Sequence, residues 1–226
     1  MLGLLYDIHG NLPALEAVLA EAERERVNRW LLGGDYGTPS PWPLETLDRL
    51  RRLEDATWIR GNGERWLREP PVDRLEVMHD HALFLGNLPR EEIDWLYALP
   101  ERAELDGVLF VHGSPLSDVE SFAPQPEAEP DEIRMLAGER DRVVVFGHSH
   151  QQFRRAGPAG TTLVNPGSVG MPLDGDRRAS WAVSPEPGEF EFRRTEYDWE
   201  RAADAFRELS GRFGQLAARR IELGSD

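Results

Sequence analysis

Apolar residues in the first sixty positions alternate between two patterns. Met1 to Tyr6 is a short continuous run of the kind a buried strand needs. Leu12, Leu15, Val18, Leu19 and Ala22 then recur at helical spacing behind Pro13, a residue tolerated in a first helical turn. Arg29 to Leu32 (RWLL) is a second short run, stopped by Gly33-Gly34-Asp35. The unit repeats: Leu44 to Leu53 predicts a helix, and Ala56 to Ile59 a strand that ends at Arg60-Gly61-Asn62-Gly63.

The stretch about 64–100 is polar with scattered aromatics and no strand signal. It predicts a helical insertion that includes a helix over Arg90 to Leu99, whose Ile93, Leu96 and Tyr97 share a face. Strands return at Gly107 to Val111, before His112, and at Arg142 to Phe146, before Gly147-His148-Ser149-His150. Between them Ser121 to Pro130 is rich in Pro and Glu and predicts a surface loop. From Thr161 the short runs TTLVN, SWAV and EFEFR predict an antiparallel portion, and one amphipathic helix over about 199–218 closes the chain. With no internal repeat and no linker-like composition, one α/β domain over 1–226 is the economical reading.

Composition narrows the chemistry. A chain of 226 residues, 40% hydrophobic and 30% charged, is in the ordinary range of soluble globular proteins. It is long enough to bury roughly 70% of its unfolded surface without staples. The absence of cysteine excludes disulfides, thiolate metal sites, iron–sulfur clusters and cysteine nucleophiles. All 26 basic residues are arginine, which excludes Schiff-base chemistry and a P-loop lysine. Against 41 acidic residues they leave a net charge of −15, a field that opposes binding of duplex nucleic acid or an anionic membrane. A small phosphorylated ligand is compatible with that field where a local cation reverses it. No basic leader precedes the first apolar run, and no apolar stretch approaches the roughly 18 residues of a membrane span. A cytoplasmic location is expected.

The metal-capable side chains fall at strand ends. Asp7 and His9 follow the first predicted strand, Asp35 the second, Asn62 the third, His112 a later one, and His148 with His150 another. In open α/β sheets ligands bind beyond the carboxyl ends of strands, so these residues can gather on one edge. Each alone has a plain structural role to play in a cap or a turn; their shared position argues for a common one. Oxygen and nitrogen donors of this kind suit manganese, iron, zinc, nickel or magnesium.

The ordered set Asp7-Ile8-His9-Gly10-Asn11, Gly34-Asp35, Gly61-Asn62, His112-Gly113 and Gly147-His148-Ser149-His150 resembles the signature of the calcineurin-like metallophosphoesterases. Asn165-Pro166-Gly167-Ser168-Val169-Gly170 and Asp174-Gly175-Asp176 resemble the small bacterial branch that includes phosphodiesterases. The resemblance implies a four-layer α/β/β/α sandwich of two mixed β-sheets flanked by helices. It implies one metal on Asp7, His9, Asp35 and His150, and a second on Asp35, Asn62, His112 and His148, with Asp35 bridging. Two such ions, manganese being favoured, would share a hydroxide for in-line attack on phosphorus, with Asp35, Asn62 and His112 closest to the chemistry. The implied reaction is hydrolysis of a small phosphate ester; a diester preference rests on the branch resemblance alone.

One departure matters. The family commonly has histidine after the metal-binding asparagine, where it assists the leaving oxygen; this chain has Gly63. Loss of general-acid help, typically worth about 10²–10⁴ in rate, penalises poor leaving groups most. It also favours an alternative, a catalytically weak or inactive metal-binding scaffold of the same fold. His79 and His81 are the histidines outside the motifs; a structural role is the simpler reading, and reaching into the site from the insertion is the other. Tyr6 stands where a small serine is common, a change of packing more than ligation. Arg60, Arg177 and Arg178 either reach a substrate phosphate or pair with surface carboxylates, the second being simpler. Tyr36 and Trp42 either line a pocket for an organic group or pack in the core and rim.

Overall fold

The computed structural model describes residues 1–71, 88–209 and 211–226. The first sheet has strands β1 (Leu2–Leu5), β2 (Arg29–Leu32), β3 (Ala56–Trp58), β9 (Ala179–Ser184) and β10 (Glu191–Thr195), in the order β10-β9-β1-β2-β3. The second has β4 (Arg102–Leu105), β5 (Val108–Val111), β6 (Val143–Val145), β7 (Gln152–Ala156) and β8 (Thr162–Pro166), in the order β4-β5-β6-β8-β7. Both are mixed. β1, β2 and β3 are parallel, as are β5, β6 and β8, while β9, β10, β4 and β7 add antiparallel partners.

Side-chain alternation along a strand explains the layering. Leu2 and Leu4 of β1 face the second sheet, joining Leu31, Val108, Phe110, Val145, Val164 and Ala182 in an apolar layer between the sheets. Leu5 faces the opposite way, toward α1 (Leu12–Arg24) and α2 (Pro43–Arg51), with Leu15, Val18, Leu47, Leu50 and Trp181. On the far side Leu109, Val111, Val144 and Leu163 pack against Phe122 and α5 (Glu129–Met135). The expected sandwich of two mixed sheets between helices is the observed architecture. Each wholly buried leucine here contributes roughly 1.5–3 kcal/mol by leaving water.

Several expectations change at element level. The predicted C-terminal helix over 199–218 is two helices, α6 (Trp199–Arg207) and α7 (Gly211–Leu223), and Gly211 has φ of +85°. Together they cover Met171 with Ala202, Phe206, Ala217, Ala218 and Ile221. Of the predicted insertion, α3 (Asn62–Trp66) and α4 (Arg90–Tyr97) are helical, while His79 and His81 lie outside the described residues. The end of the predicted Ser121 to Pro130 loop already belongs to α5. Among the described residues no helix is long and apolar enough to cross a membrane.

Candidate metal centre

The carboxyl ends of β1, β2 and β3 in one sheet and of β5 and β6 in the other meet at one edge of the sandwich. Their loops are stitched together by backbone bonds. His9 N donates to Asp35 O at 2.8 Å, Gly10 N to Tyr36 O at 2.8 Å, and Gly147 N to His112 O at 2.7 Å. The sheets are joined across the site by His148 N donating to Asp7 Oδ2 at 2.9 Å.

These loops turn abruptly. Asp7, His9, Asp35, His148 and His150 all have φ between 49° and 64°, a left-handed conformation that is uncommon outside glycine. Each such residue costs about 1–3 kcal/mol and persists where surrounding structure over-determines it. The return is directional, since five side chains aim at one place. Glycines make room for them: a Cβ on Gly61 would lie 2.3 Å from Asp35 Oδ1, and one on Gly147 2.5 Å from Asp7 Oδ2.

All seven predicted residues converge. His9 Nε2 lies 3.0 Å from His150 Nε2, and 3.9 Å from both Asp7 Oδ1 and Asp35 Oδ2. His150 Nε2 is 3.4 Å from Asp7 Oδ1. On the other side His112 Nε2 is 3.5 Å from Asp35 Oδ1 and 3.8 Å from Asp7 Oδ1. One end of the Asn62 amide is 3.0 Å from His112 Nε2 and 2.8 Å from His148 Nδ1. With nitrogen there it donates to both rings; with oxygen there it offers a cation a donor between them. Asp7, His9 and His150 form one compact donor group, and Asp7, Asp35 and His112 another. Asp35 turns Oδ2 toward His9 and Oδ1 toward His112, and Asp7 Oδ1 also faces both groups.

The donor set fits bound metal on three counts. Asp7 Oδ1 is buried with no hydrogen-bond partner among the described groups, a costly arrangement unless a positive charge accepts it. Two imidazoles have their tautomer fixed from behind. His112 Nδ1 donates to Gly33 O at 2.8 Å and His150 Nδ1 to Met171 O at 2.7 Å, so Nε2 is the ring nitrogen turned to the centre, with a lone pair when the ring is neutral. The donors are hard-to-borderline oxygen and nitrogen atoms, suited to divalent ions.

Electrostatics shows the same crowding. Burial would raise the Asp7 carboxyl, yet the neighbouring His150, His112 and His9 hold it well below the usual carboxylate range. Burial, with Glu64 and Asp7 nearby, pushes Asp35 up to about 7 despite His112. Burial would lower His112, but the carboxylates of Asp35 and Asp7 and the Gly33 carbonyl raise it to about 9. His9 and His148 fall to about 3, through burial first and then the positive charge of neighbouring histidines. Acids and bases this tightly packed exchange protons with any cation that enters.

Two supports were not singled out in the sequence as supports. Glu64 is buried, accepting from Asp35 N at 2.9 Å and Gly61 N at 2.8 Å on Oε2, and from Tyr36 N at 2.8 Å on Oε1. It thereby fixes the loops that carry Asp35 and Asn62. A glutamate two residues after Asn62, next to a glycine-flanked turn, was the available signal. The Asn165 to Gly170 segment is the second. Asn165 Nδ2 donates to Gly147 O at 3.1 Å and Ser149 Oγ at 3.0 Å, and Ser168 Oγ donates to Asp7 O at 2.7 Å. Gly170 lies so close beneath the first loop that a Cβ there would meet Ile8 O at 1.8 Å.

Other candidates lie elsewhere. Tyr36 is wholly buried, donating to Leu32 O at 2.7 Å and Ile59 O at 2.6 Å, so it is core and not pocket lining. Tyr6 is likewise buried between the sheets. Trp42 is partly exposed, with Arg201 stacked over its ring at 5.8 Å. Arg60 is held by Tyr97 O and Glu101, Arg178 by Asp176, and Arg177 lies over Trp199. Gly63 N donates to Asp35 Oδ1 at 2.7 Å, and a Cβ at Gly63 would approach that oxygen to 2.9 Å. A side chain at Gly63 would therefore crowd the Asp35 carboxylate.

Comparison with known proteins gives a consistent result. An uncharacterized protein of Methanocaldococcus jannaschii is 25% identical over 99% of this chain and 98% of its own length. A metallophosphoesterase from Sphaerobacter thermophilus superposes with a TM-score of 0.78 at 25% identity, covering 99% of this chain and 98% of that one. A hypothetical protein from Pyrococcus horikoshii shares the fold with a TM-score of 0.81 at 19% identity, each chain covered completely at 100%. The family model of the calcineurin-like phosphoesterase superfamily domain matches residues 1–185, which contain the whole donor cluster, and the chain belongs to that family.

Proposed function

We propose that this chain is a metal-dependent hydrolase of small phosphate esters, with phosphodiesters the preferred class and a pair of metal ions, manganese first among them, as cofactor. Asp7, His9, Asp35 and His150 would hold one ion, and Asp35, Asn62, His112 and His148 the other. The observation that carries this reading is the pair of donor groups meeting at Asp7 and Asp35, with the Nε2 atoms of two imidazoles directed inward by backbone carbonyls on Nδ1. Bound in pairs, such ions supply hydroxide near neutral pH and neutralise charge on phosphoryl oxygens.

The chain's own residues do the remaining work. Asp35 and Asp7 set the positions of both halves of the site, and Glu64 holds the backbone that carries Asp35. His9 and His148 are the least buried of the four central imidazoles and line the side on which a substrate enters. Asn62 has an amide end between His112 and His148, where it would hold an ion and stand beside an ester oxygen. No side chain stands at Gly63 to protonate the leaving group, so esters with good leaving groups are favoured. The proposed setting is the cytoplasm, with no role for duplex nucleic acid or a membrane surface.

The lack of an acid side chain at Gly63 supports a second reading, a metal-binding scaffold with little or no turnover. Metal-free protein reloaded with manganese and given an activated aryl phosphodiester separates the two. Hydrolysis that disappears in Asp35→Asn supports the enzyme. Manganese uptake with no hydrolysis of diester or monoester supports the scaffold.

A further inference from the structure

A cleft of about 260 Å³ adjoins the metal centre on its Asn62–His112 side. His112 lines it, together with the loop that follows β5 and with Arg65 of α3. Its contact with the donor cluster is direct, since the amide end of Asn62 that lies between His112 and His148 is 3.2 Å from Asp118 O. Arg65 and Asp118, both lining the cleft, form a bidentate pair, Nε to Oδ2 at 2.7 Å and Nη2 to Oδ1 at 2.8 Å, with side chains 26% and 24% exposed. Nη1 of Arg65 takes no part in that pair, and each carboxylate oxygen keeps a lone pair outside it. Ser117 Oγ accepts from Val119 N at 3.2 Å and from Glu120 N at 3.3 Å, which leaves its O–H to donate.

We propose that this cleft is the subsite for the alcohol arm of the ester, and that the arm is a small polyol, a glycerol or sugar group held through its hydroxyls by Arg65, Asp118 and Ser117. This rests on the phosphoester reading of the metal centre. The lining selects a polyol on three grounds. Its charges cancel, Arg65 and Arg102 against Glu101 and Asp118, so it offers no net attraction to a second anion. It sets a guanidinium that only donates beside a carboxylate that only accepts, a mixture which hydroxyls, each both donor and acceptor, can satisfy. Among the described residues no phenylalanine, tyrosine or tryptophan lines it, so a nucleobase or aryl group finds no such ring to stack on. The volume is below the roughly 300–1,000 Å³ of sites that take drug-sized ligands, which keeps the arm small. In an aryl diester the polyol is the arm that stays on phosphorus, in keeping with the absence of an acid side chain at Gly63.

The test compares glycerol phosphate with ethyl phosphate, which carries the same charge and no free hydroxyl, by calorimetric titration into manganese-loaded full-length protein. Wild type, Arg65→Gln and Leu116→Trp are titrated, with manganese stoichiometry and the thermal midpoint measured on each. Leu116 lines the cleft and is 46% exposed, so a larger ring there narrows the space from its open side and leaves the Arg65–Asp118 pair in place. Wild type is expected to bind glycerol phosphate about tenfold more tightly than ethyl phosphate. Both variants should lose that preference with manganese stoichiometry unchanged, and Leu116→Trp decides where Arg65→Gln lowers the thermal midpoint. With the p-nitrophenyl diesters of the two phosphates, the same preference should appear in KM more than in kcat. Equal affinity of wild type for the two phosphates overturns the subsite, even where both diesters are hydrolysed and the phosphoester reading stands. A preference that survives Leu116→Trp overturns it as well, as does failure of wild type to bind either phosphate. A preference lost in Leu116→Trp with no ester hydrolysed by any form supports the polyol site while removing the esterase reading.

Discussion

At the residue scale the centre is a problem of holding like charges together. Asp7, Asp35 and Glu64 are three carboxylates buried at one edge, and each survives burial by a different means. Asp7 is surrounded by imidazoles, Asp35 is matched to His112, and Glu64 is satisfied by three backbone N–H groups. Glu64→Gln keeps the shape but turns one acceptor into a donor, so at least one of those N–H groups is left facing nitrogen. A loss of about 1–3 kcal/mol in folding stability is expected, read from thermal or urea unfolding. Manganese affinity should weaken with it, because the same bonds hold Asp35; unchanged stability and affinity would contradict the role given to Glu64. The proton on His112 makes a separate prediction. Its ring must give up that proton before Nε2 can bind a cation, and its pKa is raised to about 9 by Asp35 and Asp7 against the effect of burial. Below that value metal entry displaces a proton, so apparent manganese affinity should rise with pH from 7 toward 9 and level off above. Titrations in buffers of different ionisation enthalpy would report the proton released; pH-independent affinity over that interval would contradict it.

At the element scale, position comes from strand ends and precision comes from what lies beneath them. The loops after β1 and β6 rest on the Asn165 to Gly170 turn, and Gly170 leaves no space for even a methyl group under Ile8. Gly170→Ala is therefore expected to destabilise the fold by about 1–3 kcal/mol, as overpacking does, and to disturb the Asp7 loop first. A crystal structure or a chemical-denaturation series would show it, and a neutral substitution would contradict the close approach. The strands that carry the site were legible because each is a short apolar run cut off by glycine and a polar residue. The edge strands β4 and β7 were not, since RAEL and QFRRA are polar, half-exposed segments whose strand character comes from their neighbours. The division of the last helix is equally a matter of context. An amphipathic period runs through the break, while Gly211, at the start of α7, has a left-handed backbone. The seven residues that gather at the centre could be read from the strand-end pattern and its family resemblance. The buttress made by Glu64 could not, because a carboxylate bonded to three backbone groups looks in sequence like any helix-start glutamate.

At the scale of the whole molecule, two mixed sheets bring together strand ends that are far apart in sequence, from Asp7 to His150. Neither sheet alone holds the set. Asp7, His9, Asp35 and Asn62 come from the first and His112, His148 and His150 from the second, so the centre reports on the docking of the two sheets. The C-terminal helices add a third contributor, closing over Met171 behind His150. A net charge of −15 opposes approach of long polyanions, in keeping with the small ester proposed as substrate. The most direct measurement of this account is anomalous X-ray scattering from crystals of the protein soaked in manganese. Two peaks should appear, one among Asp7, His9 and His150 and the other among Asn62, His112 and His148, with the Asp35 carboxylate between them. Absence of any peak at these side chains, or a single ion that leaves Asp35 unligated, would contradict the two-metal centre.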